Sequence, residues 1–180
     1  MSAVHDGDVL GEVNRGWQVA TGTLSGERGG YLGGSGGGRR RRQAESALAR
    51  AGRRADPVAR QRIVDVTARE LLLEWLVGRI ESGSVAAGNP AAGSLVKMAA
   101  GNLEQLAAEL VIDLCGPIGL AWSPEGSDGD LAAHGLNASR QATIAGGTHQ
   151  IQCNLIGERV LGLPAKAAER PRRWPPGREP

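Results

Sequence analysis

Ala142-Thr-Ile-Ala-Gly-Gly-Thr-His-Gln-Ile-Gln-Cys-Asn-Leu-Ile-Gly-Glu-Arg-Val-Leu-Gly-Leu-Pro164 is the segment around which the rest of the chain is organised. Its first half is a glycine turn ending in Thr148, a residue type that caps helices. Its second half places Ile151, Leu155, Ile156 and Val160 at helical spacing before Gly162 and Pro164 stop the pattern. A tight turn therefore opens directly into an amphipathic helix. Such a start gathers unpaired backbone N–H groups and the positive end of the helix dipole, and glycines let a ligand's phosphates approach closely. The same turn also serves as plain punctuation between two elements, and its physics alone leaves both readings open.

Upstream, Asp56 precedes Pro57, the pairing expected at an N-cap and first helical position. Val58, Ile63, Val66, Leu71, Leu72, Trp75, Leu76 and Ile80 then recur at helical intervals and predict a long helix. Ser94 is expected to cap the next one, whose apolar face runs through Leu95, Met98, Ala99, Leu103, Leu106, Leu110 and Leu114 until Gly116-Pro117 ends it. Gly16 to Gly30 reads as a short helix and Gln43 to Arg53 as another. Residues 33–42, a glycine run followed by four arginines, read as a flexible low-complexity loop, and Ser123 to Gly135 as a surface loop. Residues 1–15 read as the remnant of an extended linker and 165–180 as a disordered tail. Apolar-faced helices with no convincing strand predict an all-α, antiparallel helical bundle over 16–164.

Hydrophobic residues make up 41% of the 180-residue chain, yet Phe is absent and aromatic residues are few. The core must come from Leu, Ile, Val and Ala, which suits packed helices, and the length fits one domain. A formal charge of +2 is too small to signal an acidic partner. Cys115 and Cys153 are too few and too far apart for a metal site or a disulfide framework. The N-terminal residues lack the apolar run of an export signal, so a cytoplasmic setting is expected. No window approaches the ~20 apolar residues of a membrane span. His5, His134 and His149 have no metal-binding spacing and are expected in solvent. Arg39 to Arg42 carry no interleaved aromatics and no nucleic-acid motif, so they read as a solvated charge cluster and not as a nucleic-acid grip.

The order of the residues says more than their physics. Ile144-Ala-Gly-Gly-Thr-His-Gln-Ile-Gln152, followed by Ile156-Gly-Glu-Arg-Val-Leu-Gly-Leu-Pro164, resembles the last helix of acyl-CoA dehydrogenases, particularly bacterial ones. Val9-Leu-Gly-Glu-Val-Asn-Arg-Gly-Trp17 and Leu24-Ser-Gly-Glu-Arg28 resemble the family's passage from its middle β domain into its first C-terminal helix. Ser94-Leu-Val-Lys97 and Leu114-Cys-Gly-Pro-Ile-Gly119 are similar to its helix pair and glycine turn. The resemblance spans about residues 8–164 and covers the C-terminal half of a complete member.

This resemblance implies a C-terminal helical bundle, FAD as cofactor, and oxidation of acyl-CoA thioesters in fatty acid or lipid catabolism. A proton leaves the carbon beside the thioester while a hydride passes from the next carbon to FAD. Most members carry a Glu directly before the Gly-Thr of the last helix; here Gly146 holds that position, and glycine takes no proton. A minority place the base on the first C-terminal helix before an Arg, which matches Glu27 beside Arg28. Burial against an acyl chain would raise its pKa toward neutrality. The other reading of Glu27 is a solvated charge at a helix end.

Thr148 and Gln150 match residues the family uses to hold FAD, with Gly146 and Gly147 giving backbone access. Gly116 belongs to the turn that meets a neighbouring subunit's FAD, although Pro117 replaces a usual Gly and Asp113 a common Gln. Arg54 stands in for the family's pyrophosphate Arg without its usual neighbours, and a surface arginine is the plainer reading. The family's N-terminal helical and middle β domains have no counterpart in these residues. The resemblance thus implies a dehydrogenase-like chain working with a partner. Its substrate is acyl-CoA, its oligomeric partner is itself or a complete acyl-CoA dehydrogenase, and its acceptor is an electron-transfer protein. The alternative is a non-catalytic assembly subunit or truncated-gene product that keeps the bundle as an interaction surface.

Overall fold

Helix α4, Ala92–Cys115, runs through the middle of the structure, and each of the other five α-helices of the described residues packs against it. The computed structural model describes residue 7 and residues 9–33, 37–121 and 128–165, with their side chains except at 25–33 and 128–130. Around α4 lie α1 (Gly16–Gly33), α2 (Arg39–Arg50), α3 (Pro57–Glu81), α5 (Asp128–Gln141) and α6 (His149–Leu155). A 3-10 turn, Gly116–Leu120, follows α4, and a π-helical turn, Ile156–Val160, follows α6. Among the described residues there is no strand.

Side-chain contacts give the directions. Arg62 pairs with Asp113, while Glu70 and Glu104 meet at Arg40, so α3 runs antiparallel to α4. Arg140 reaches Glu109 and Gln105 donates to Thr143, so α5 does too. The expected all-α antiparallel bundle is what the chain forms.

The packing follows from spacing. Buried residues of α3 fall at Ala59, Ile63, Val66, Glu70, Leu73 and Val77, and those of α4 include Val96, Ala100, Leu103, Ala107, Leu110 and Leu114. Steps alternating between three and four residues keep one stripe facing the neighbouring helix. Each large aliphatic buried this way contributes about 1.5–3 kcal/mol. Asp56 caps α3 as expected: its carboxylate accepts from Val58 N–H at 2.9 Å and Ala59 N–H at 3.1 Å, and Pro57 needs no donor there. The periodicity had merged two faces of α3, however. Val58, Leu71, Leu72 and Trp75 are exposed.

Four sequence expectations change. The short first helix extends to Gly33, which ends α1 instead of opening a loop. Arg39 to Arg42, expected in that loop, form the first turn of α2. Gly38 at the N-cap has no side chain to offer, and acceptors come from α3: Glu70 takes the N–H groups of Arg40 at 3.0 Å and Arg41 at 3.3 Å, and Glu74 takes that of Gly37 at 3.2 Å. Tertiary capping thus orders a stretch whose composition suggested none; residues 34–36 lie outside the description. Ser94 does not cap α4. The helix begins at Ala92, and Asn89 Oδ1 accepts from Ala91 N–H at 2.8 Å, leaving Ser94 buried one turn in. The loop expected to Gly135 is helical from Asp128, because buried Ala132, Ala133 and Ser139 give α5 a narrow inner face beneath a polar surface. The tail from 166 and most of residues 1–8 lie outside the described residues.

Candidate functional site

Gly146 and Gly147 form the turn into α6 with φ of 66° and 101°, a left-handed region that favours glycine. Gln152, fully buried, reaches back along α6, its Nε2 donating to the Gly146 carbonyl at 3.1 Å and the Gly147 carbonyl at 3.2 Å. From α4 the Lys97 ammonium, also fully buried, donates to the same Gly147 carbonyl. A Cβ on Gly147 would stand 2.8 Å from Gln152 Nε2, and one on Gly101 would stand 2.9 Å from the Ala142 carbonyl oxygen. These glycines thus have an internal reason: they let the turn lie against α4 with its carbonyls pointed at two buried donors. Thr148 then caps α6, its hydroxyl accepting from Ile151 N–H at 3.4 Å, and Gln150 is left exposed.

His149 departs from expectation. It is half-buried against α4, and its Nε2 is enclosed without a hydrogen-bond partner. Burial, and then the nearby Lys97 charge, hold its pKa below the ordinary value, so the ring is neutral at neutral pH. Ser94 Oγ and Gln152 Oε1 are enclosed in the same way. His134, on α5, is exposed as expected.

The remaining candidates lie elsewhere. Gly116 ends α4 with φ 62° and ψ −144°, and Arg54 is an exposed residue of the turn between α2 and α3. Its neighbour Arg53 donates to the Asp113 carbonyl at 3.5 Å, so Arg54 and Gly116 share one end of α4. The turn before α6 sits near the other end. From Gly101 to Gly116 the helix rises about 22 Å. Glu27 lies within α1, and its side chain is outside the description.

A family profile described as "Acyl-CoA dehydrogenase, C-terminal domain" matches residues 14–161. The chain belongs to the acyl-CoA dehydrogenase family. It is 33% identical over 161 residues to acyl-CoA dehydrogenase IpdE1 of Mycolicibacterium smegmatis, covering 88% of this chain and 39% of that protein. It is 33% identical over 162 residues to IpdE1 of Mycobacterium tuberculosis, covering 88% and 41%. With acyl-CoA dehydrogenase FadE34 of the same organism the identity is 32% over 166 residues, covering 89% and 22%. The chain therefore spans about two fifths or less of the length of these relatives. No solved structure gave a significant match.

In this acyl-CoA dehydrogenase domain the residues that hold the α6 turn in place were only partly legible. Gln152 reads in sequence as one more polar residue of an amphipathic helix. Its position directly after Ile151, with the glycine turn one helical turn before it, was the available signal.

Of the arginines expected in a solvated cluster, Arg39 and Arg42 are exposed, whereas Arg40 is buried in an ion-pair network. Arg40 is 6% exposed, pairs with Glu70 at 3.5 Å and Glu104 at 2.8 Å, and ties α2, α3 and α4 together. Burial pushes the Glu104 pKa up, but the Arg39 hydrogen bonds and the charges of Arg40 and Arg39 outweigh it and leave the carboxyl below its ordinary value. A solvated cluster would have shown none of this. Its acidic partners lie 30 and 64 positions away, where no local pattern points to them.

Proposed function

We propose that this chain supplies the helical C-terminal wall of an FAD-dependent acyl-CoA dehydrogenase, acting in the cytoplasm on acyl-CoA thioesters during fatty acid or lipid catabolism, and that it needs a partner chain for activity. The observation that carries the reading is the α6 turn. Lys97 and Gln152 hold it from inside, leaving Thr148 half-buried and Gln150 exposed at its outer edge. Those two residues fit one side of a cofactor. FAD bound there would supply the hydride acceptor and pass electrons to an electron-transfer protein. Gly146 and Gly147 set the height of the turn, while Gly116 and Arg54, some 22 Å away along α4, serve a neighbouring subunit's FAD. Glu27 of α1 takes the proton next to the thioester, since Gly146 has no group to do so.

A second reading keeps the bundle as a non-catalytic assembly module. It is favoured by the outward face of α3, where Val64, Leu71, Leu72 and Trp75 are all exposed. The two separate by experiment. The full chain alone should be colourless and inactive with acyl-CoA thioesters. Mixed with a complete acyl-CoA dehydrogenase from the same cell, it should form a complex whose thioester-dependent dye reduction exceeds that of the partner alone. Glu27→Gln should abolish that gain by two orders of magnitude or more. A complex whose activity ignores Glu27→Gln would establish the assembly reading, and a yellow preparation of the isolated chain would refute the need for a partner.

A further inference from the structure

Helix α6 is tied at both ends. At its start, Lys97 and Gln152 donate to the Gly147 carbonyl. At its finish, the π-helical turn Ile156–Val160 presents the Arg159 carbonyl to the loop before α4, where Asn89 Nδ2 donates to it at 2.5 Å. His149 lies against Gly101, and the Cys153 thiol meets Met98 Sδ at 3.9 Å. The contact thus moves from Gly101 through Met98 to Asn89 as the chain advances from His149 to Arg159, so α6 runs antiparallel to α4. The two ties lie about 15 Å apart. Asn89 is itself fixed. Its N–H donates to the Ala86 carbonyl at 2.9 Å, its carbonyl accepts from Ala92 N–H at 3.0 Å, and its Oδ1 accepts from Ala91 N–H at 2.8 Å. With Nδ2 on Arg159, each polar atom of the residue is engaged. Ala86 sits at φ 48°, a left-handed conformation uncommon for a residue with a Cβ, and such a conformation persists where its surroundings over-determine it.

The last carbonyls of a helix have no partner within it. A side-chain amide brought to one of them from another element fixes where that end lies. We propose that Asn89 is a positioning residue for the cofactor turn: by anchoring the far end of α6, it sets the height and tilt at which Thr148 and Gln150 meet FAD. That role rests on the α6 turn being one side of the flavin site. The leverage is geometric. A short rod held at two points has one orientation, whereas a rod held at Gly147 alone pivots. A shift of about 1 Å in a positioning group costs on the order of a hundredfold in rate, even when its cause lies far from the chemistry.

Asn89→Asp isolates the tie. An aspartate keeps the acceptor for Ala91 N–H and suits the start of α4, but it sets a negative charge against the Arg159 carbonyl, at the negative end of the α6 dipole. In the full chain, hydrogen exchange should quicken about tenfold at Leu161 and Leu163 and also at His149 and Gln152, whose N–H groups bond to the Thr143 and Thr148 carbonyls. Quickening confined to Leu161 and Leu163 would make the tie local and overturn the proposal. Should the aspartate unfold the chain, Asn89→Ser, too short to reach Arg159 and uncharged, should give the same exchange pattern. In complex with a complete acyl-CoA dehydrogenase, the variant should weaken FAD retention about fivefold relative to the parent complex and shift the visible circular dichroism band of the bound flavin. A merely structural tie would leave that band in place. Lys97→Met, which loosens the turn directly, separates the two levels. If Lys97→Met shifts the band and Asn89→Asp does not, the positioning role fails while the flavin reading stands. If both quicken exchange at Gln152 and neither shifts the band, the flavin reading fails and the positioning role falls with it.

Discussion

Lys97 and Gly147, fifty positions apart, are joined by a hydrogen bond from a fully buried ammonium to a backbone carbonyl. An amine on α4 thereby fixes the turn that starts α6. Lys97→Met keeps the volume and removes the donor, leaving the Gly147 carbonyl with one partner fewer in a closed site. The expected loss is about 1–3 kcal/mol, read as a lower urea midpoint with an unchanged slope. An unchanged midpoint would mean that Gln152 alone holds the turn.

The same lysine bears on His149. Because burial and then the Lys97 charge depress the His149 pKa, the unfolded chain takes up a proton before the folded one as pH falls. His149 therefore contributes stability that is complete above its ordinary pKa of 6.5 and declines as pH drops below it toward the folded value. His149→Gln should flatten stability between pH 7 and 5.5. In the Lys97→Met variant the His149 resonance, followed by NMR, should titrate at a higher pH than in the parent.

Glu104 adds a second acid-sensitive step. Its folded pKa lies below the ordinary 4.5, so its contribution is present above that value and is lost as pH falls through the folded one. Denaturation midpoints should show a further drop below about pH 4.5, diminished in Glu104→Gln.

Glu70 is the more damaging site. Its carboxylate caps α2 and faces buried Arg40, so Glu70→Gln removes the charge and puts an NH2 donor in place of one of its two acceptor oxygens, among donors, and should cost about 3 kcal/mol or more. Hydrogen exchange should show α2 opening first, with the amides of Arg40 and Arg41 losing protection before those of α3.

The paired glycines give a graded test. Gly146→Ala meets the left-handed penalty, about 1–2 kcal/mol. Gly147→Ala meets a comparable penalty and a 2.8 Å contact with Gln152 Nε2, so it should be the worse of the two by thermal denaturation. Equal losses would mean that Gln152 moves aside freely.

Much of this protein was legible in the chain alone wherever the controlling interaction is local. Asp56-Pro57 starts α3, Thr148 caps α6, and Gly116-Pro117 stops α4, because caps and breakers act within a few residues. The order of residues around Gly146 and Thr148 likewise placed the chain in its family. What tertiary structure decided was everything set by charge and hydrogen bonding across helices. Four arginines after a glycine run became a helix because Glu70 meets the backbone of Arg40 and Arg41, and Glu74 that of Gly37, from another helix. A histidine expected in water is half-buried, with its pKa lowered by burial and a neighbouring lysine, and a polar stretch after 128 became α5 by laying two alanines on α4. The distinction is physical: periodicity and capping are written in neighbouring residues, whereas a partner thirty or more positions away becomes a neighbour only once the core has closed.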